Sequence, residues 1–329
     1  MRTRRLGKSG YDVSEVGLGC WQLGGDFGPV SDARAAAILT EADRRGITFW
    51  DTADVYGAGE SEARIGAYLG ARAKSAARIC VATKVGRAGG LYPDGYTRAR
   101  VRHDIEGSLR RLRVEALDLV QLHCVPPAIL MAGDLFAWLE DFQRDGLVRA
   151  FGASVETLAE ARFAATHPAL ASLQIIFNLF RQDAIDELFP IARANDVGII
   201  VRLPLASGVL AGTMRRDQPF DASDHRSFNR HGEAFSQGET FSGIPFETAL
   251  GFVDEIRDWF PPEASLAQAA MRWILDQPAV TTVIAGASRP DQVLENAAAS
   301  ALPPLSPALH SRLAAFYRER VAASIVVPV

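Results

Sequence analysis

The sequence has little cysteine, no long apolar run and no strong excess of either charge. Among its 329 residues there are three cysteines, Cys20, Cys80 and Cys124. Three is an odd number, no two stand in a C-x-x-C spacing, and each lies in an apolar, strand-like run. The expectation is three buried, reduced thiols without a disulfide or a catalytic role. No stretch reaches the ~18 consecutive apolar residues of a membrane-spanning helix. The basic start MRTRRLGKSGYDVSEVG is not followed by the apolar segment of about 7–15 residues that a secretory signal needs. A cytoplasmic protein with no membrane partner is expected. Lys and Arg number 35 against 39 Asp and Glu, a formal charge of −4, so a large basic surface for nucleic acid is not expected. The run RARVRHDIEGSLRRLR reads as a solvated helix face.

Also absent is the G-x-G-x-x-G that opens a doubly wound dinucleotide fold. The turn after the first apolar run reads GLGCWQLGGDFG, whose spacing does not fit. What is present is a repeated pattern in a chain that is 48% apolar and 22% charged. A short Val/Ile/Leu-rich run is followed by an amphipathic helix, eight times over. The runs are Val16–Leu18, Thr48–Asp51, Ile79–Thr83, Leu117–Leu122, Ala150–Ala153, Ser172–Ile176, Gly198–Val201 and Val280–Ile284. Their helices are expected over Ser31–Arg45, Ser61–Leu69, Thr97–Leu112, Leu130–Arg144, Thr157–Ala165, Ala184–Ala194, Leu266–Asp276 and Asp291–Ala299. Continuous apolar runs alternating with helices indicate parallel strands covered on both faces. Eight such units predict an α/β chain folded as a (β/α)8 TIM barrel, one domain over residues 1–329. Three segments fall outside the count: an N-terminal β-hairpin with a Gly-Lys-Ser-Gly turn, a long loop after strand seven from Leu203 to Pro245, and an extra C-terminal helix starting near Pro307 with Ser306 as its cap.

The chemistry of such a barrel sits at the C-terminal ends of its strands. Strand two ends at Asp51 and its loop carries Tyr56, strand three ends at Lys84, and strand four ends at His123. Together they form a proton-transfer set. A tyrosine is a weak acid at neutral pH, and a nearby ammonium lowers its pKa. Asp51 would keep Lys84 charged, Lys84 would tune Tyr56, Tyr56 would donate a proton to a developing alkoxide, and His123 would hydrogen-bond the carbonyl oxygen. Carbonyl reduction suits this set, but the side chains supply no hydride, so a cofactor is required. His225 and His231 are six apart without a partner at ligand spacing, and no metal is expected.

The runs DTADVYGAGESE (Asp51–Glu62), VATK (Val81–Lys84) and LDLVQLH (Leu117–His123) resemble the active-site motifs of the aldo-keto reductases, and the likeness covers nearly the whole chain. The resemblance implies an NADPH-dependent oxidoreductase reducing an aldehyde or ketone, with Asp51, Tyr56, Lys84 and His123 catalytic. It implies that NADPH/NADP+ lies across the barrel mouth. Gly19, Trp21 and Asp51 would border it, Ser154 and Gln174 would meet the nicotinamide carboxamide, and PLASGVLAG (Pro204–Gly212), including Pro204, Leu205, Ser207, Gly208 and Leu210, would wrap the pyrophosphate. GASRPDQVLEN (Gly286–Asn296) resembles the adenosine loop, with Gly286 opening it, Ser288 and Arg289 at the 2′-phosphate, and Gln292, Glu295 and Asn296 near the adenine. Independently, Pro290 suits the first position of a helix whose free amides would form an anion site, and the Arg289 guanidinium suits a phosphate dianion, favouring NADP over NAD.

Two departures stand out. Val155 follows the serine where the family often has asparagine. Arg202 stands where many members stack an aromatic ring on the nicotinamide, and a cation there would favour the reduced cofactor. Trp21, Tyr56 and His123 are expected to bound a substrate pocket, with Phe228 and His231 from DHRSFNRHGEAFSQGETFSG, a stretch resembling a bacterial subgroup of the family. Phe235 and Phe241 belong to the same loop. A small carbonyl compound is the expected partner, and monomer and homo-oligomer stay open. Two other activities fit parts of the pattern: a nucleotide-binding sensor subunit without turnover, and a Schiff-base lyase using Lys84.

Overall fold

The protein is described by a computed structural model covering residues 1–73 and 77–328. Strands Thr3–Arg5 (β1) and Asp12–Ser14 (β2) pair antiparallel as the expected hairpin. The next eight are Val16–Gly19 (β3), Phe49–Asp51 (β4), Cys80–Val85 (β5), Leu117–His123 (β6), Val148–Ser154 (β7), Ser172–Ile176 (β8), Gly198–Arg202 (β9) and Val280–Gly286 (β10). They run parallel and close, with β10 pairing back onto β3. The eight-stranded barrel expected from the sequence is present.

Helices Asp32–Arg44 (α1), Glu60–Ala71 (α2) and Arg98–Leu112 (α3) cover the first strands. Ser31 and Thr97 cap α1 and α3 by accepting backbone N–H bonds of 3.3 Å. The single helix expected over Leu130–Arg144 starts earlier and is two pieces, Pro127–Ala132 (α4) and Asp134–Arg144 (α5), parted by Gly133 in the left-handed region. Leu158–Ala165 (α6) starts with a Thr157/Glu160 capping box. The Ala184–Ala194 helix is likewise divided, into Ala184–Glu187 (α7) and Phe189–Ala194 (α8). Pro190 has no N–H to carry a helix through that point.

The connection after β9 is less bare than expected. It contains a one-turn helix, His225–Phe228 (α9), and short 3-10 turns, and leads into Phe246–Ile256 (α10), which the strand-and-helix count omitted. Leu266–Leu275 (α11), Pro290–Ala298 (α12) and Pro307–Phe316 (α13) complete the ring. Ser306 caps α13 through Leu309 N–H at 3.2 Å, as its sequence indicated.

Alternation along each strand decides what enters the barrel. The lower interior layer holds Phe49, Cys80, Ala82, Leu119, Ala150, Ala171, Ile200 and Ile284. Leu6 and Val13 of the hairpin plug that layer from the N-terminal end. Each such fully buried Leu or Val is worth about 1.5–3 kcal/mol. Two residues further along the same inward faces come Asp51 after Phe49, Lys84 after Ala82, and Gln121 then His123 after Leu119. The same period places Ser154, Gln174 and Arg202 at the ends of their strands. A dry lower half therefore supports a polar upper half. The three cysteines are free and buried, and no helix among the described residues is long and apolar enough to cross a membrane.

Candidate active site

Strand register brings the polar ends together: Asp51 lies beside Ala82, Lys84 beside Gln121, His123 beside Ser154, and Ser154 beside Gln174. Tyr56 stands in the turn after β4. That turn is held by the backbone of Gly57, at φ 57°, packed on Gly24; a Cβ on Gly57 would lie 2.3 Å from the Gly24 carbonyl oxygen. Thr52 donates to Ser61, which donates to the Cys20 carbonyl, both at 2.8 Å. The loops after β3 and β4 are thereby fixed against each other.

Lys84 is 1% exposed. Its ammonium donates to Asp51 Oδ1, to the Thr52 carbonyl at 2.9 Å and to the Tyr56 phenol oxygen at 3.1 Å. Asp51 Oδ2 accepts from Gln174 at 2.7 Å and Gln121 at 3.1 Å. Burial alone would drive the proton off Lys84, but Asp51 and Tyr56 overcome it and hold the ammonium above the usual lysine range. Burial pushes the Tyr56 phenol up to about 12, with Lys84 pulling against it. The sequence identified the lysine's direction but not the larger opposing cost of burial. Because Lys84 donates to the phenol oxygen, the phenol's own proton remains to be donated elsewhere.

His123 lies edge-on to Tyr56, with ring centroids 5.8 Å apart. Burial first, then the cations Lys84, Arg87 and Arg202, depress its pKa well below the ordinary value. It is a neutral imidazole at pH 7, able to donate one N–H. Trp21 stacks on Tyr56 at 5.7 Å, and His225 packs behind Trp21 at 4.8 Å.

Two cavities meet at Trp21, Tyr56, His123 and Glu239. One is an elongated groove of about 280 Å³. It is lined by Gly19, Trp21, Asp51, Ser154, Gln174, Arg202, Pro204, Leu205, Ser207, Gly208, Gly286, Ser288 and Gln292, thirteen of the residues the sequence singled out for a cofactor. The others lie elsewhere. Leu210 is fully buried in the 3-10 turn that follows β9. Arg289 lies outside the groove lining and bonds Asp291 at 3.1 Å. Asn296 donates to the Gly286 carbonyl at 3.3 Å, and the Glu295 carbonyl accepts from Gln268 at 3.2 Å. The amides expected to be free ahead of α12 are not: Ser288 and Arg289 N–H donate to Gln292 Oε1 at 2.7 and 3.2 Å, because a glutamine three residues into a helix reaches back to its start.

The second cavity, about 270 Å³, is bounded by Trp21, Asp26, Tyr56, Arg87, Tyr92, His123, Phe228, Phe235 and Glu239, among others. Phe228 is where the sequence placed it. His231 is not: it is exposed, and its backbone N–H donates to Glu233 at 2.8 Å, the chain turning away at Gly232 in the left-handed region. Phe241 packs on Phe246 at 4.8 Å, away from the cavity.

Sequence reading missed Gln121, Arg87 and Glu239. Gln121 was visible as a polar residue inside LDLVQLH, two before His123 and so on the same face. Arg87 and Glu239 carry no local signal, since 152 positions apart they meet only through the fold. Arg87 bonds Glu156 at 2.8 Å, and Glu239 lies 3.5 Å from Arg87 and 3.4 Å from Arg202. Arg202 also donates to the Val155 carbonyl at 3.1 Å. The charge expected beside the nicotinamide is therefore one half of an ion pair. Cys124, Glu156 and Glu239 have ligand atoms within 4.8 Å of one another, but both carboxylates are engaged by these arginines.

Fold and site together define a barrel oxidoreductase. The profile described as the Aldo/keto reductase family matches residues 15–318. The chain belongs to the aldo/keto reductase family. It is 28% identical over 321 residues to the NADH-specific methylglyoxal reductase of Escherichia coli (strain K12), covering 91% of this chain and 93% of that one. Among solved structures, aldo-keto reductase AKR11C1 from Bacillus halodurans in its holo form superposes with a TM-score of 0.76 at 27% identity, covering 96% of each chain. Glycerol dehydrogenase AKR11B4 from Gluconobacter oxydans superposes with a TM-score of 0.77 at 28% identity, covering 99% of this chain and 97% of that one.

Proposed function

We propose that the protein is an NADPH-dependent reductase that converts an aldehyde or ketone to the alcohol, with Tyr56 as general acid. The observation that carries this reading is the Lys84 to Tyr56 hydrogen bond of 3.1 Å at the place where groove and pocket meet. The groove suits an extended dinucleotide: Gly19 and Gly286 offer bare backbone at one side, Ser154 and Gln174 offer polar groups near Tyr56, and Ser207, Gly208 and Arg226 border the middle. Bound there, the cofactor supplies the hydride. Ser288 on the groove lining and the exposed Arg289 guanidinium next to it in the chain support a 2′-phosphate, which would compete with Asp291 for the guanidinium.

The chain's own residues supply the rest. Tyr56 and His123 both face the pocket and together hydrogen-bond the carbonyl oxygen. As negative charge grows on that oxygen, Tyr56 releases its proton, and the Lys84 ammonium steadies the phenolate left behind. Asp51, held by two glutamines, keeps Lys84 charged throughout. Trp21, stacked on Tyr56, forms one wall of the pocket. A lysine so firmly protonated lacks the free amine a Schiff-base lyase needs.

The test is oxidation of NADPH and NADH, side by side, with a panel of aldehydes. Carbonyl-dependent oxidation of NADPH, faster than of NADH, is expected. Tight cofactor binding without turnover would indicate the sensor reading, and borohydride trapping of a carbonyl on Lys84 the lyase.

A further inference from the structure

The long connection after β9 delivers one carboxylate, Glu239, into the seam between the two cavities. It is buried, its backbone carbonyl accepts from Ser207 at 3.0 Å, and Phe241 N–H donates back to Ser207 at 3.1 Å. The carboxylate is therefore held in place by its own loop. It lies 3.5 Å from Arg87, the one cation among the described residues that line the pocket, and 3.4 Å from Arg202 behind it. Glu156 engages Arg87 from the other side at 2.8 Å. Asp26 adds a further carboxylate to the lining. With His123 neutral, Arg87 and Arg202 together are matched by Glu156 and Glu239, and Asp26 is one carboxylate beyond that balance.

We infer that Glu239 sets the charge specificity of the pocket: it excludes carbonyl compounds bearing an anionic group and reserves the site for neutral ones. This rests on the reading that the pocket holds the carbonyl substrate. A carboxylate on the substrate would approach Arg87 only by meeting Glu239 and Asp26 in a half-dry cavity, where like charges repel far more than in water. Replacing Glu239 by a neutral isostere frees one side of Arg87, whose planar fork then serves as a carboxylate receptor.

The experiment compares 4-nitrobenzaldehyde with 4-carboxybenzaldehyde, two planar aldehydes of nearly equal shape that differ in charge. The readout is the ratio of their kcat/KM values within each enzyme, so that any intrinsic difference in reactivity cancels between variants. In the wild type the ratio is expected to favour the nitro compound. In Glu239→Gln it should move toward the carboxylate by roughly tenfold or more, through the KM of the anionic aldehyde, as removal of a close charge in a poorly screened site requires. Arg87→Met added to Glu239→Gln should erase that gain. An unmoved ratio in Glu239→Gln, or a gain that survives loss of Arg87, overturns the inference. Should Glu239→Gln fail to fold, the wild type still decides: equal KM values for the two aldehydes overturn it, and a KM for the anionic compound that is higher and falls with added salt supports it. Absence of any aldehyde reduction by the wild type overturns the proposed function itself, an outcome distinct from reduction with an unchanged ratio.

Discussion

Lys84→Met separates what the buried ion pair does for stability from what it does for catalysis. The substitution keeps the volume of the stem and removes three hydrogen bonds, to Asp51, the Thr52 carbonyl and Tyr56. Asp51, 2% exposed, is left with only the amides of Gln121 and Gln174. Breaking one side of a buried pair costs about 3–5 kcal/mol. With an unfolding entropy of ~2.1 cal/mol/K per residue over this chain, that corresponds to a fall in Tm of roughly 4–7 °C. Catalysis suffers by another route. Burial already raises the Tyr56 phenol to about 12, and Lys84 is the foremost group opposing it. Without the ammonium the phenol is a weaker acid and its phenolate unsupported, so kcat should drop by about 10²–10⁴-fold. Calorimetry at pH 7 and stopped-flow reduction of an aldehyde read the two effects. The double variant Asp51→Asn with Lys84→Met removes both charges and should regain most of the lost Tm while kcat stays low. A Lys84→Met enzyme with kcat within threefold of wild type would refute the tuning of Tyr56, and a double variant no more stable than the single would refute the ion-pair argument.

Asp54 is buried without a side-chain partner, and burial, then Glu62 and Asp104, raise its pKa to about 8. Its proton is held in the folded state and released in the unfolded one, so it costs stability increasingly as pH rises from about 4 to 8, by up to ~4 kcal/mol at pH 7. Asp54→Asn should raise Tm at pH 7 and do so little at pH 4.5; equal gains at both would contradict this. His225 is fully buried with neither ring nitrogen hydrogen-bonded, and burial lowers its pKa to about 4 against the pull of Asp224, 3.6 Å from Nδ1. The stability it allows above pH 6.5 is lost as pH falls toward 4, by up to ~3 kcal/mol. Limited proteolysis of the connection 203–245 should quicken from pH 7 to pH 5 in the wild type and not in His225→Phe; identical pH responses would contradict it. Arg289→Ala should raise KM for NADPH about tenfold and leave that for NADH unchanged, by steady-state kinetics, since one charge-assisted phosphate contact is worth ~1.5–3 kcal/mol; equal effects on both would place the guanidinium elsewhere.

The barrel was legible because parallel strands buried on both faces leave continuous apolar runs, and strand ends are where such runs meet a polar residue. Asp51, Lys84 and His123 each follow that rule. Gln121 obeys the same alternation, but inside LDLVQLH it reads as one more strand residue. The division of the helices at Gly133 and at Pro190 was written in residues whose effect is plain only afterwards, since either can also begin or end a helix. Arg87 and Glu239 were beyond reach: their pairing depends on how the connection after β9 folds back over the mouth, and no local spacing encodes that. The same fold-back turns His231 to solvent while keeping Phe228 and Phe235 at the pocket.

The central claim is that Tyr56 gives the proton and does little else. Tyr56→Phe retains the ring that stacks on Trp21 and removes the hydroxyl that meets Lys84. NADPH affinity by fluorescence titration and kcat for a neutral aldehyde should be measured on the same preparation. Affinity within about threefold of wild type is expected, with kcat lower by about 10²–10⁴-fold. An enzyme that still reduces the aldehyde at the wild-type rate, or one that loses NADPH binding together with turnover, would contradict it.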